Sequence, residues 1–152
     1  MRVHLLERSQ RVEVPLARAF ALYADADNLE PLTPPWVHFR LLSPRPIVFG
    51  AGTALDYRLR LHGVPFRWQT RIEVWEPPHY FSDTQARGPY RLWEHQHFFE
   101  PDGEGATVIR DHLRYALPLG PVGAIADRLF VRRDLERIFE FRRDGIAARL
   151  GG

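Results

Sequence analysis

The stretch ATVIRDHLRYALPLGPVGAIADRLFVRRDLERIFEFRRDGIAARL, residues 106–150, changes its periodicity partway along, and that change decides the fold. From Thr107 to Tyr115 apolar and polar residues alternate, the two-residue period of a half-buried strand. The proline and glycine of LPLGPVG end it. Residues 122–149 then contain no proline and set Ile125, Leu129, Leu135, Ile138, Phe139, Ile146 and Leu150 near one stripe, with arginines and acids between. That pattern predicts one long amphipathic helix.

Upstream, the two-residue period runs back to Trp36, interrupted at SPRPIVFGAG (43–52), HGVP (62–65), EPPH (76–79), ARGP (86–89) and EPDGEG (100–105). Proline and glycine turn chemistry at each break predicts six strands, over 36–43, 53–62, 66–76, 79–86, 90–100 and 105–117. The short connections favour an antiparallel meander. Residues 2–13 alternate as a further strand, which Pro15 stops. Proline suits the first turn of a helix, and Leu16, Ala19, Phe20 and Tyr23 follow at helical spacing, giving a short helix to about Ala24. A second helical turn is expected from Asn28 to Leu32, ending at Pro34 and Pro35. The class is α+β: seven antiparallel strands, curved around a terminal helix, with two short helices after the first strand.

A chain of 152 residues buries one sizeable core, so residues 1–152 read as a single domain. Apolar residues at 45% against charged ones at 26% exclude disorder. Without cysteine, disulfide scaffolds, thiolate metal sites and cysteine nucleophiles are excluded. No signal peptide and no membrane-length apolar run is visible, which reads as cytoplasmic. All 21 basic residues are arginine, and Asn and Met occur once each, a scarcity of thermolabile side chains that suggests a thermophile. A formal charge of +2 with scattered arginines gives no nucleic-acid footprint.

Two segments carry a family resemblance. RVEVPLARAFALYADADNLEPLTPP (11–35) resembles the opening motif of bacterial polyketide cyclase/dehydrase-like and stand-alone START-like proteins. GPYRLWEHQHFFE (88–100), followed by GATVIRDHLRYALPLGPVGAIADRLFVRRDLERIFEFR (105–142), is similar to a subgroup of small bacterial members of the START and birch-pollen-allergen superfamily, also called SRPBCC. The resemblance implies a helix-grip fold with a groove between sheet and terminal helix for a lipid, sterol-like or polyketide-like ligand. It does not imply catalysis, since one fold hosts carriers, sensors and enzymes alike.

Strand alternation assigns the concave face. The strand over 53–62 turns Leu55, Tyr57, Leu59 and Leu61 inward, and the next turns Phe66, Trp68, Thr70, Ile72 and Val74. The last three strands present Phe81, Asp83, Gln85, then Trp93, His95, His97, Phe99, then Ile109, Asp111, Leu113, Tyr115. An unpaired buried polar group costs about 1–3 kcal/mol, so the polar members of these rows must pair with one another, with water or with a ligand. Asp111 with His95 or His97 on the adjacent strand is one such pair. The expected ligand wall is Tyr57, Leu59, Trp68, Thr70, Ile72, Phe81, Trp93, Phe99 and Leu113, closed by Leu129, Leu135 and Phe139 of the helix. Asp83, Gln85, His95, His97, Asp111 and Tyr115 are its polar anchors.

Three further readings are open. Two imidazoles on one strand face could share a cation with Asp111 or Asp83, but a hydrogen-bonded patch is the simpler account, so no metal and no cofactor is expected. Acid–base catalysis of the cyclase or dehydratase type would use His95 or His97 with Asp111, and Tyr115 or Tyr57 to polarise a carbonyl. No nucleophile motif, phosphate loop or nucleotide fingerprint supports it, so binding, as carrier or sensor, is the primary reading. An interaction surface would use exposed Trp36 and Trp75, or Arg132, Arg133, Arg137, Arg142 and Arg143. Interleaved Asp134, Glu136, Glu140 and Asp144 make that face a solvated one. The expected partner is a hydrophobic small molecule, without nucleic acid or integral membrane association. Monomer and homodimer stay open.

Overall fold

The computed structural model describes residues 1–151. Strand β1 (His4–Val12) is followed by helix α1 (Leu16–Tyr23), then a short β2 (Arg40–Leu41) and the meander β3 (Ala54–Leu61), β4 (Val64–Glu76), β5 (Tyr80–Arg87), β6 (Leu92–Pro101) and β7 (Thr107–Ala116). The seven strands form one antiparallel sheet in the order β1-β7-β6-β5-β4-β3-β2. A helical run from Gly120 to Leu150 closes it, in two α segments, α2 (Gly120–Ala126) and α3 (Arg132–Leu150), joined by a π turn (Asp127–Val131). This is the helix-grip architecture, the first strand returning to pair beside the last.

Local chemistry explains the joints. The β3–β4 hairpin turns on His62 and Gly63, both in the left-handed region at φ 51° and 77°, the conformation a tight two-residue hairpin needs. Pro15 precedes α1 with extended backbone and ends β1 without breaking the path into the helix. Apolar residues from both layers meet in a core of Val12, Phe20, Phe99, Ile109, Ile146 and Leu150 at one end and of Leu6, Leu113, Tyr115, Leu135 and Phe139 at the other.

The helical turn expected at 28–32 forms, the Leu32 amide donating to the Asn28 carbonyl at 3.2 Å, directly after a 3-10 turn over Ala26–Asn28 that the Asp25 side chain caps by accepting from the Asp27 amide. Three local expectations fail, each for an identifiable reason. The strand expected over 36–43 is reduced to Arg40–Leu41. Consecutive Pro34 and Pro35 start a 3-10 turn over Pro35–Val37, and His38 at φ 52° breaks the extended path. A register shift between Ile72 and Val74 turns Val74 outward and brings Trp75, expected on the surface, onto Phe20, Phe49 and Phe81. Trp36 is exposed as expected. The terminal helix is not a single regular one, since the π turn interrupts it.

That interruption is pinned from inside. Asp127 points into the protein, where Tyr115 Oη donates to its Oδ1 at 2.6 Å and His4 Nδ1 lies 3.2 Å from its Oδ2. Upstream of this lock Val122 and Ile125 face solvent, while downstream Leu135 and Phe139 face the sheet.

Candidate functional site

Between the concave face of the sheet and α3 lies a cavity of about 200 Å³. Its walls come from α1, from the chain after it, from β3 to β6 and from α3. Of the expected lining, Tyr57, Leu59, Trp68, Thr70, Ile72, Phe81, Asp83, Trp93, His95, His97, Leu135 and Phe139 are all there.

Six expected residues are elsewhere. Leu129 is 59% exposed, because the π turn rotates it away from the sheet. Phe99 and Leu113 are buried in the two core ends, behind the cavity wall. Tyr115 belongs to the Asp127 lock. Gln85 clasps the following loop, its side-chain amide donating to the Tyr90 carbonyl at 2.8 Å and accepting from the Tyr90 amide at 3.0 Å. Asp111 sits behind the histidines and opens onto a separate cleft between β1 and α3.

The polar wall is built by strand register. Asp83 pairs across to His95, Phe81 to His97, and His97 to Asp111, so side chains two residues apart on β6 interleave with a carboxylate from each neighbouring strand. Bonds run on the diagonals. His97 Nε2 meets Asp83 Oδ2 at 2.9 Å and His95 Nε2 meets Asp111 Oδ1 at 3.0 Å. The rings of His95 and His97 lie with centroids 3.8 Å apart. His97 Nδ1 faces Asp111 Oδ1 at 3.3 Å but makes no aligned hydrogen bond. Phe81 stacks on His97 at 4.0 Å, and Phe139 covers His95 at 5.5 Å.

Burial and mutual charge divide these groups. Burial lowers the pKa of His95, with the neighbouring His97 charge adding to it against the pull of Asp111. For His97 burial is again the largest single influence and opposes the proton, but the close Asp111 carboxylate and the hydrogen bond and charge of Asp83 outweigh it and the pKa is raised. Burial works to raise the two carboxylates, and the imidazoles overcome it, so Asp83 and Asp111 both stay below the usual carboxylate range. Burial raises the phenols of Tyr23, Tyr57 and Tyr90, keeping them neutral donors.

Sequence reasoning missed Tyr23, Tyr90, Ile138 and Arg142, all of which line the cavity. Arg142 had a visible signal, a lone charge falling in line with Leu135, Ile138 and Phe139. Tyr23 had none, since its spacing on α1 is that of a core residue. Its hydroxyl and the Trp68 Nε1 are buried without a hydrogen-bond partner.

A family model described as polyketide cyclase/dehydrase and lipid transport matches residues 12–141. A search of curated sequences finds no significant relative. Among solved structures, an aromatase/cyclase from a Streptomyces species superposes with a TM-score of 0.75 at 14% identity, covering 97% of this chain and 93% of its own. A Thermus thermophilus protein gives 0.72 at 19% identity, covering 96% and 99%. A START superfamily protein from Mycobacterium smegmatis gives 0.71 at 13%, covering 95% and 98%. At these identities the likeness is one of fold. No helix of the described residues is long and apolar enough to cross a membrane.

Proposed function

Because the chain belongs to the polyketide cyclase/dehydrase and lipid transport family of the START superfamily, we propose that its cavity binds one compact, mostly apolar ring compound carrying a carbonyl or hydroxyl oxygen. The observation that supports this reading is the composition of the walls: aromatic and aliphatic side chains enclose the space, with Asp83, His95, His97 and the Tyr57 and Thr70 side chains among its few polar groups. Apolar walls with a few placed polar groups are the usual makeup of a small-molecule site. Size narrows the ligand class. An apolar cavity of roughly 150 Å³ accepts benzene, and drug-sized ligands occupy about 300–1,000 Å³. A space of about 200 Å³ therefore suits a one- or two-ring, polyketide-like molecule better than a sterol or a long acyl chain.

The test is fluorescence titration of Trp68 and Trp93, which line the cavity, with 1-tetralone, a bicyclic ketone. Saturable one-to-one quenching that is abolished by Ile72→Trp supports the reading. Equal quenching in Ile72→Trp, where the added ring fills the cavity, rejects it. Polar selection is tested with His97→Ala and Asp111→Asn, and unchanged affinity for 1-tetralone in both removes it.

A second reading, acid–base turnover of the cyclase or dehydratase type, is favoured by one observation. His95 lines the cavity while Asp111 holds its Nε2 from behind at 3.0 Å, the arrangement that orients an imidazole as a base. Turnover of a β-hydroxy ketone that vanishes in His95→Gln, with binding of 1-tetralone retained, would support it. Identical rates in the two proteins would dismiss it.

A further inference from the structure

We propose that Asp83, His95 and His97 form a site for one divalent transition-metal ion, of the zinc or ferrous class, set in the wall of the cavity. One ligand atom from each lies within 4.8 Å of the other two, and both histidines are buried. The sheet fixes this meeting: Asp83 and His95 are paired across β5 and β6, and His97 follows two residues along the same face. An ion with bonds of about 2.0–2.2 Å holds tetrahedral ligand atoms roughly 3.3–3.6 Å apart, so the three side chains must close in around it.

Asp111 supplies what such a site needs behind its ligands. Its Oδ1 takes His95 Nε2 at 3.0 Å and faces His97 Nδ1 at 3.3 Å. A carboxylate on one ring nitrogen leaves the other as the metal donor and fixes the ring plane. The donors left are His95 Nδ1 and His97 Nε2, and the latter already meets Asp83 at 2.9 Å.

Charge and unmet hydrogen bonds point the same way. Two buried carboxylates call for two positive charges, and one divalent ion provides both without charging two rings whose centroids are 3.8 Å apart. As folded, the cluster leaves His97 Nδ1 and, on the ring beside it at 5.8 Å, Tyr23 Oη without partners. Two imidazole nitrogens and one carboxylate oxygen, in a chain without cysteine, select borderline ions over magnesium or calcium, which prefer oxygen sets. Phe81 stacks over His97 and Phe139 lies beside His95, so each imidazole has an aromatic face against it. With an ion bound, the imidazoles act as ligands instead of proton carriers, which separates this inference from the acid–base reading.

The experiment uses the full chain, treated with chelator and dialysed, and titrated with Co²⁺ followed by visible absorption, then with Zn²⁺. One equivalent of Co²⁺ giving visible ligand-field bands, displaced by Zn²⁺ and untouched by excess Mg²⁺, is the expected result. Asp83→Asn and His97→Ala abolish the bands. Asp111→Asn weakens binding by about 10–100-fold, as loss of an outer carboxylate does. His112→Ala, outside the cluster, changes nothing. Folding of each variant is checked by circular dichroism. A measurement on the unmodified protein guards against unfolded variants: Zn²⁺ must shift the imidazole NMR signals of His95 and His97 while leaving His112 in place. Absence of bands at one equivalent, or shifts confined to His112 and other surface histidines, overturns the proposal. Titration with 1-tetralone is read separately, so failure of the ion site and failure of the ligand reading are told apart.

Discussion

The cavity has two walls that hold together in different ways. On the β5–β7 side, Asp83, His97, Asp111 and His95 interlock, so each group is the partner of at least one other. On the β3–β4 side, Tyr57 stacks with Trp68 at 6.0 Å, and Trp93 meets Trp68 edge-on at 5.0 Å and Tyr90 at 4.8 Å. Among the described residues, one side-chain to side-chain hydrogen bond joins these groups, Tyr57 with Thr70 at 2.8 Å. Dispersion contacts are many, small and replaceable, whereas a buried ionic network loses its neighbours' compensation when one member goes. The polar wall should therefore be brittle and the apolar wall forgiving.

The sharpest way to break that contrast is Asp111→Ala. Removing one partner from a buried ionic group costs about 3–5 kcal/mol, so urea unfolding should show a loss of that order, and a loss under about 1 kcal/mol would put the two walls on equal footing. Tyr115→Phe asks whether brittleness belongs to the cavity or to any buried polar contact. It removes a donor from Asp127 and should cost about 1–3 kcal/mol in the same assay. On the apolar wall, Ile72→Val should cost only about 0.5–1.5 kcal/mol and should improve binding of a methyl-substituted tetralone relative to the parent. Leu129→Ser comes last. Away from the cavity and exposed, it should change stability by no more than about 0.5 kcal/mol and leave ligand titrations unaltered; a measurable loss of affinity would return Leu129 to the site.

Most of the fold was legible because alternation on β3 and β4 is unambiguous, with arginines and acids opposite Leu55, Tyr57, Leu59 and Trp68. The inward row of β6, Trp93, His95, His97, Phe99, was legible for the same reason. What alternation cannot give is depth along a strand. Phe99 and Leu113 share a face with the cavity residues yet lie under α1 and α3, where helix packing covers them. Nor does a stripe reveal its own phase break. Leu129 fits the helical period of the sequence, but the inward turn of Asp127 toward Tyr115 and His4 costs the helix one residue of register. Bonds formed between residues distant in sequence decide such points, and a one-dimensional pattern does not contain them.

The same π turn makes the terminal helix two separately editable parts on one axis. A π turn absorbs one residue beyond the ordinary helical count, so the angular setting of the Leu135, Ile138 and Phe139 row is referenced to the Asp127 anchor and not to the segment before it. An engineer could lengthen, shorten or graft the stretch from Leu119 to Ala126 while the cavity's ceiling keeps its orientation, provided that Asp127 and Tyr115 stay. The molecule thus offers an attachment point for fused sequences that is mechanically insulated from the binding chamber.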